Sequence, residues 1–441
     1  MGQDMLATAK SAVEIAKKKG AQDAAGIGRV RRTVEVGWRD GKLEKISEAT
    51  SRGLDLKLYV DGRYSVVSTS DLRPEGLDAF IGNAIALTRT LAKDPFRTLP
   101  DPSLYQGQSK EDLGIADPKI DSIAAVDLRR MAEAVEAAAR GVKGASAILS
   151  VSSGAATTLS ELYQVHSNGF EGNYRDTSFD LFADVSVKDS DGRRPEDGDY
   201  ASTRLFSELP DPASIGRSAS ERAMSRLGQK KGASALTTIV LDRRAAGRFV
   251  SYLLRPLAAS SLQQKRSFLE GLVDKPFGSK QLSFKDDPLL ARGLGSRPFD
   301  NEGIAAKRFP IFEGGVLRGH YVDTYYGKKL SMKPTTGGMS NLAWGLGTKD
   351  GAALVAEVKE GILVTGFIGG NSNDTTGDFS LGVQGYAIRG GKVGEPIGEM
   401  NISGSHLQVW KRLVAVGNDP FPYSMGRTPT LVLDGVQVAG T

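Results

Sequence analysis

Twice within the first seventy residues, an alternating apolar and polar run turns on an Asp-Gly pair. "RRTVEVGWRDGKLEKIS" (31–47) pivots on Asp40-Gly41, and "GLDLKLYVDGRYSVVSTS" (53–70) pivots on Asp61-Gly62. Both residues of such a pair tolerate positive φ, which a two-residue hairpin turn needs in order to match the twist of its strands. The chain is therefore committed to antiparallel strands from its start, with positive φ expected at Gly62. Amphipathic helices flank these hairpins. One spans roughly 3–19, with Met5, Leu6, Val13 and Ile15 on one face, and the other spans 73–94, with Leu77, Phe80, Ile81, Ile85 and Leu91. The first section reads helix, four strands, helix.

After a proline-rich stretch at 94–118, expected to be a linker, the pattern recurs. A helix is predicted at 124–142, two strands within 145–167, another strand at 179–189 and a closing helix at 211–232. The expected fold class is α+β: an N-terminal domain, 1–230, of two helix–meander–helix units, with 3–94 and 124–230 read as an internal duplication. A largely antiparallel, β-rich C-terminal domain should follow over 235–441. It opens with a buried-type strand (235–242) and a helix (243–259) that contains an awkward Pro256. From about 296 onward it reads as strands punctuated by glycine.

Several chemistries are excluded. The 441 residues include no cysteine, which removes disulfides, thiolate zinc sites and a cysteine nucleophile, and fits a reducing, cytoplasmic location. The N-terminus lacks the apolar core of a signal peptide, and no run approaches membrane-spanning length. The net charge of +5 comes from scattered residues without the clustered footprint of a nucleic-acid binder, so neither a membrane nor direct nucleic-acid contact is expected. "GYAIRGGKV" (385–393) fails as a phosphate-binding loop on its glycine spacing, and no G-x-S-x-G elbow is present. Only three histidines occur, and no two share a motif. His166 is read as a surface residue, His320 as an edge-strand or capping histidine with Asp323 three residues on, and His406 as a hydrogen-bonded residue near the domain seam.

"GGNSNDTTGDFSLG" (369–382) is too long and too polar for an ordinary strand connection. As a calcium loop it fails, because Gly382 stands where a bidentate Glu belongs. Its other readings are a loop held by its own side-chain turns and a platform for extended backbone. "FDNEG" (299–303) places Asp300 and Glu302 together, either as an ordinary turn or as an acidic pair for a cation or a peptide amine.

Three long stretches, "RPFDNEGIAAKRFPIFEGGVLRGHYVDTYYGKKL" (297–330), "GDFSLGVQGYAIRGGKVGEPIGEMNISGS" (377–405) and "VAVGNDP" (414–420), resemble the TldD/PmbA family of metallopeptidases, in particular its PmbA, or TldE, branch. In the TldD branch the resemblance implies a helix bearing H-E-x-x-x-H that binds zinc and supplies the general base. The corresponding helix here, "RRAAGRFVSYLLRPLAA" (243–259), has neither His nor Glu, and the cysteine expected downstream is also missing. The resemblance thus implies a non-catalytic subunit of a heterodimeric TldD/TldE zinc metalloprotease that degrades or processes unfolded peptides. No catalytic or metal-ligating residue and no cofactor are assigned to this chain; zinc is expected in the TldD-like partner. The family has also been called a modulator of DNA gyrase, a name that describes a phenotype. In this setting Asn371, Asn373, Thr376, Asp378 and Ser380 are expected to bind peptide or line the subunit seam, with Asp300, Glu302 and His320 as a secondary site. The isolated chain is expected to form a homodimer through the face it would otherwise bury against its partner. Two alternatives compete: an autonomous hydrolase using His320 with Asp323 or the Asp374–Asp378 loop, and a regulatory binding protein without proteolysis.

Overall fold

The structure is a computed structural model that describes residues 2–440. A first unit comprises α1 (Gly2–Lys18), β1 (Asp23–Arg39), β2 (Lys42–Val60), β3 (Arg63–Thr69) and α2 (Pro74–Thr88). A second comprises α3 (Ala125–Arg140), β4 (Ile148–His166), β5 (Glu171–Val187), β6 (Glu196–Thr203) and α4 (Pro212–Met224). Their strands form one six-stranded antiparallel sheet in the order β3-β2-β1-β4-β5-β6, so the two meanders meet through their first strands. Both Asp-Gly turns take the expected left-handed backbone, with φ of 48° and 77° at Asp40-Gly41 and of 51° and 73° at Asp61-Gly62.

The first meander has three strands rather than the four expected, because the inner two are a single 19-residue strand, β2. Residues 42–52 of β2 are solvent-exposed on both faces at every position except Ser47, so no alternation marks them as strand. The two strands expected within 145–167 are likewise one, β4, and β6 was not anticipated.

Helices cover one face of the sheet. Leu54, Leu56 and Leu58 pack with Leu77, Ile81 and Ile85 in the first unit. In the second unit, Val151, Phe179 and Leu181 pack with Val135 of α3 and Ile215 of α4. A side chain at Gly26 would lie 2.8 Å from the Ala9 carbonyl, which is why α1 can ride directly on β1. On the opposite face Ile27 and Leu162 meet Tyr105, Phe170 and Phe299. The stretch expected as a linker is therefore pinned to the sheet through Tyr105, and Phe299 brings the second half of the chain against it.

That half contains β7 (Ala235–Leu241), α5 (Arg243–Leu254), α6 (Ala259–Gln263), β8 (Phe284–Asp286), β9 (Phe309–Glu313), β10 (Val316–Leu317), α7 (Thr324–Leu330), β11 (Leu342–Trp344), α8 (Gly351–Ala356), β12 (Glu360–Ser372), β13 (Asp378–Arg389), β14 (Lys392–Ser405), α9 (His406–Val409), β15 (Leu413–Val416) and β16 (Leu431–Ala439). Strands β14-β13-β12-β7-β16 follow one another, and β14 also pairs with β16, which closes a small barrel. Its β7–β12 pair is parallel and the other pairings of this sheet are antiparallel. A separate four-stranded sheet runs β10-β9-β8-β11.

Three local expectations for this half are corrected. The helix predicted over 243–259 stops at Leu254 and resumes as α6, since Pro256 has no N–H to continue the ladder. "VDTYY", read as strand, is the start of α7, because the Asp323 carboxylate accepts the Tyr326 N–H at 2.7 Å and caps it. "AALVA" likewise belongs to α8, capped by Asp350 on the Ala353 N–H at 2.8 Å. No helix among the described residues is long and apolar enough to cross a membrane.

Candidate functional site

Helix α5 starts where Asp242 accepts the Arg244 N–H at 2.9 Å. Its inward face consists of Ala245, Ala246, Phe249, Val250 and Leu253, all buried, with Leu254 partly buried beside them. Phe249 stacks on Phe367 at 6.4 Å between centroids and meets Phe379 and Trp410 at 5.5 and 5.2 Å. This face carries no nitrogen, oxygen or sulfur able to ligate zinc, so the residues present do not fit the metal. Among the described residues no three His, Cys, Asp or Glu side chains are grouped to hold a metal ion.

The three histidines lie in separate surroundings. His166 is buried, against the expectation of a surface position, because Tyr105, 61 residues away, folds over it. Its Nε2 accepts from Gln164 at 2.7 Å, and its Nδ1 lies 3.0 Å from the Tyr105 hydroxyl. Burial pushes its pKa down to about 3. His320 is buried too, its Nδ1 donating to the Leu257 carbonyl at 3.2 Å. Asp323 caps α7 through Oδ1 and makes no hydrogen bond with His320, so the two form no catalytic pair. His406 sits in the barrel core rather than at a domain seam, against Phe249, Phe268 and Phe379. Its Nδ1 accepts from Trp410 Nε1 at 3.1 Å, which leaves the proton on Nε2 to donate to Ser372 at 3.1 Å. Burial holds its pKa down at about 4.

The polar stretch is the tip of the β12–β13 hairpin, where Asn371 faces Ser380 in register. Asn373 shapes the turn: its side-chain oxygen accepts the N–H groups of Thr375 and Thr376 at 2.8 and 3.2 Å. The Thr376 hydroxyl donates to the Asp378 carboxylate at 2.8 Å. Ser380 donates to Asn401 at 3.2 Å, while the Asn371 side chain is exposed and makes no hydrogen bond. Asn373, Thr376 and Asp378 thus hold the turn, and Asn371 is left free. The hairpin is tied to α5 by the Arg255–Asp374 ion pair at 3.1 Å and by Arg248 donating to the Phe367 carbonyl at 3.3 Å. Within the Asp374–Asp378 loop, Asp374 pairs with Arg255 and the Asp378 carboxylate holds the Thr376 hydroxyl in the turn.

Asp300 and Glu302 occupy a turn, with Asp300 accepting the N–H groups of Glu302 and Ile304 at 2.8 and 3.0 Å. Glu302 accepts the Thr324 N–H and hydroxyl at 2.8 and 2.9 Å. Both line a cavity of about 380 Å³ with Lys57, Arg97, Arg297 and Asp323; His320 is not among its lining residues. Lys57 and Arg97 escaped the sequence reading because neither lies in a motif and both are more than two hundred residues from Glu302. Burial is the main cause of every shift here, raising the pKa of both acids and lowering that of Lys57.

Comparison with known proteins places this geometry among relatives. Residues 28–88, 116–227 and 234–440 match the PmbA/TldA metallopeptidase domain 1, central domain and C-terminal domain. The chain is 27% identical to a metalloprotease PmbA homologue from Haemophilus influenzae, over 99% of this chain and 96% of the relative. It is 26% identical to the metalloprotease PmbA of Escherichia coli, over 98% and 95%. A Bacteroides thetaiotaomicron protein, provisionally named a modulator of DNA gyrase, superposes with a TM-score of 0.95 at 40% identity over 99% of this chain and 98% of that one. TldE from Thermococcus kodakarensis shares the fold, with a TM-score of 0.86 at 17% identity over 98% and 100%.

Proposed function

Because the chain belongs to the PmbA/TldD metallopeptidase family, we propose that it is the non-catalytic, TldE-like subunit of a heterodimeric zinc metalloprotease, paired in the cytoplasm with a TldD-like subunit that holds the metal. One observation carries this reading: the inward face of α5 is built wholly of Ala, Phe, Val and Leu. A helix packed this way cannot ligate a dication or take a proton from water. Its contribution to hydrolysis of unfolded peptides is positioning. Asn371, with its amide unspent at the hairpin tip, offers a donor and an acceptor to an extended backbone. Gly369 beside it, where an added side chain would meet nothing within 4 Å, allows close approach.

Ile368, 52% exposed on the same hairpin, belongs to the surface that the partner would cover. The isolated chain would then form a homodimer through that surface. We also read 1–230 and 235–441 as two domains and the first as an internal duplication; the meeting of two meanders through their first strands supports it.

The test is metal analysis of the purified chain and of its complex with a TldD-like subunit. The complex is expected to hold one zinc per heterodimer and the isolated chain none. Stoichiometric zinc on the isolated chain would refute the reading.

A further inference from the structure

Six charged side chains line the cavity between the N-terminal sheet and the 297–304 segment. Lys57, Arg97 and Arg297 stand against Asp300, Glu302 and Asp323. In a structural salt cluster such groups close on one another, yet among the described residues no ion pair includes any of the six. Opposed charges partly withdrawn from water and left unpaired cost stability, and their retention in a concave site points to function.

Arg297 donates to the Thr336 hydroxyl and the Gly338 carbonyl at 3.3 and 2.8 Å, and the Asp300 Oδ2 accepts the Gly337 N–H at 3.4 Å. The other four are held by contacts that leave capacity free. The Arg97 guanidinium carbon lies 3.4 Å from the centre of the Tyr325 ring and 4.7 Å from that of Tyr64. Tyr325 is itself fixed, its hydroxyl donating to Asp94 at 2.7 Å. The guanidinium donates to no acceptor in the protein, so a rigidly held fork keeps its donors for a ligand. Lys57 spends one bond, on the Asn301 carbonyl at 3.1 Å. Opposite them Glu302 uses only Oε2, on Thr324, and Asp323 uses only Oδ1, on Tyr326. One oxygen of each is left over. Asp300 spends its Oδ1 on its own turn and is the scaffold of the group.

We propose that this cavity binds a zwitterion of the amino-acid or dipeptide class, with its carboxylate on Arg97 and Lys57 and its ammonium on Glu302 and Asp323. A simple anion would leave the acids unmatched, and a simple cation would leave the bases unmatched. A ligand bearing both charges satisfies the two sides at once. The volume of about 380 Å³ suits a small molecule rather than a folded segment. This site is complete within one chain and stands whether or not the chain serves a peptidase. A free amino acid and the end of a peptide offer the same chemistry, which the probes below separate.

Titration calorimetry on the full chain would use the common L-amino acids, then Gly-Gly and Ala-Ala, then the same dipeptides acetylated at the N-terminus or amidated at the C-terminus. Saturable binding at one site per chain is expected for an uncapped probe, at least tenfold weaker when either end is blocked. Arg97→Gln and Glu302→Gln should each weaken it at least tenfold while the circular dichroism spectrum is retained. Arg97, which makes no side-chain hydrogen bond within the fold, serves alone if Glu302→Gln does not fold. Binding of single amino acids identifies a free metabolite as ligand; binding of dipeptides only identifies a peptide end. The proposal is overturned if no uncapped probe saturates at millimolar concentration, or if binding is indifferent to capping or to Arg97→Gln.

Discussion

Asn371 and Asn373 are two residues apart on one hairpin, and the structure gives them different work. Asn373→Ala removes the acceptor for two backbone N–H groups, at 2.8 and 3.2 Å. Thr375 and Thr376 are both exposed, so water takes over those donors and the loss is about 1 kcal/mol in total rather than that much for each bond. For a domain of roughly two hundred residues this lowers Tm by about 2–4 °C. Asn371→Ala removes no hydrogen bond and should stay within about 0.5 kcal/mol of the parent. If the hairpin is a platform, the order reverses in a peptide-cleavage assay of the reconstituted heterodimer. Asn371→Ala should then lower kcat/KM several-fold at unchanged Tm, whereas Asn373→Ala should act through stability. Thermal melting beside the cleavage assay reads both. An Asn371→Ala heterodimer with unaltered kcat/KM would refute the platform and leave the turn as the hairpin's whole role.

Two further outcomes follow from the same core. Phe249→Ala should destabilise the C-terminal half by about 3–5 kcal/mol in denaturant unfolding, since a fully buried ring against Phe367, Phe379 and Trp410 leaves a cavity; a cost below about 1 kcal/mol would mean that α5 is not the structural helix described. His406, with its pKa lowered to about 4 by burial, is neutral when folded, whereas in the unfolded chain it titrates at its ordinary value near 6.5. The unfolded state therefore binds more protons between those values. Stability present above about pH 6.5 is lost as the pH falls toward about 4, by about 3 kcal/mol. Urea unfolding as a function of pH should show this loss in the parent chain and a flatter profile in His406→Gln.

Where the sequence carried local chemistry, it was readable. The two Asp-Gly turns located their hairpins because that dipeptide is selected by backbone twist alone. The apolar face of α5 was visible from its spacing and from the absence of any ligating side chain. Long-range pairing left no such mark. The barrel closes where residues 401–403 of β14 meet 437–439 of β16, and neither strand's pattern announces the other. β2 was split in two because its outer half is exposed on both faces and has no alternation to detect. His166 was misplaced because Tyr105, which folds over it, arrives through tertiary packing from 61 residues away. The charged cavity was the least legible feature, since it joins Lys57, Arg97 and Glu302 from three distant segments. Of its residues, Asp300 and Glu302 could be picked out beforehand by their closeness in sequence, and Asp323 only as a neighbour of His320.

In the proposed division of labour this chain positions the peptide and its partner breaks the bond. It is tested most directly by mixing the chain with a TldD-like subunit and assaying cleavage of an unstructured peptide, with the partner's zinc-binding histidine either intact or replaced. No cleavage is expected from this chain alone, cleavage that chelators abolish from the intact pair, and no cleavage from the pair whose partner lacks that histidine. Cleavage that survives its removal would place a catalytic site in this chain and refute the proposed division of labour.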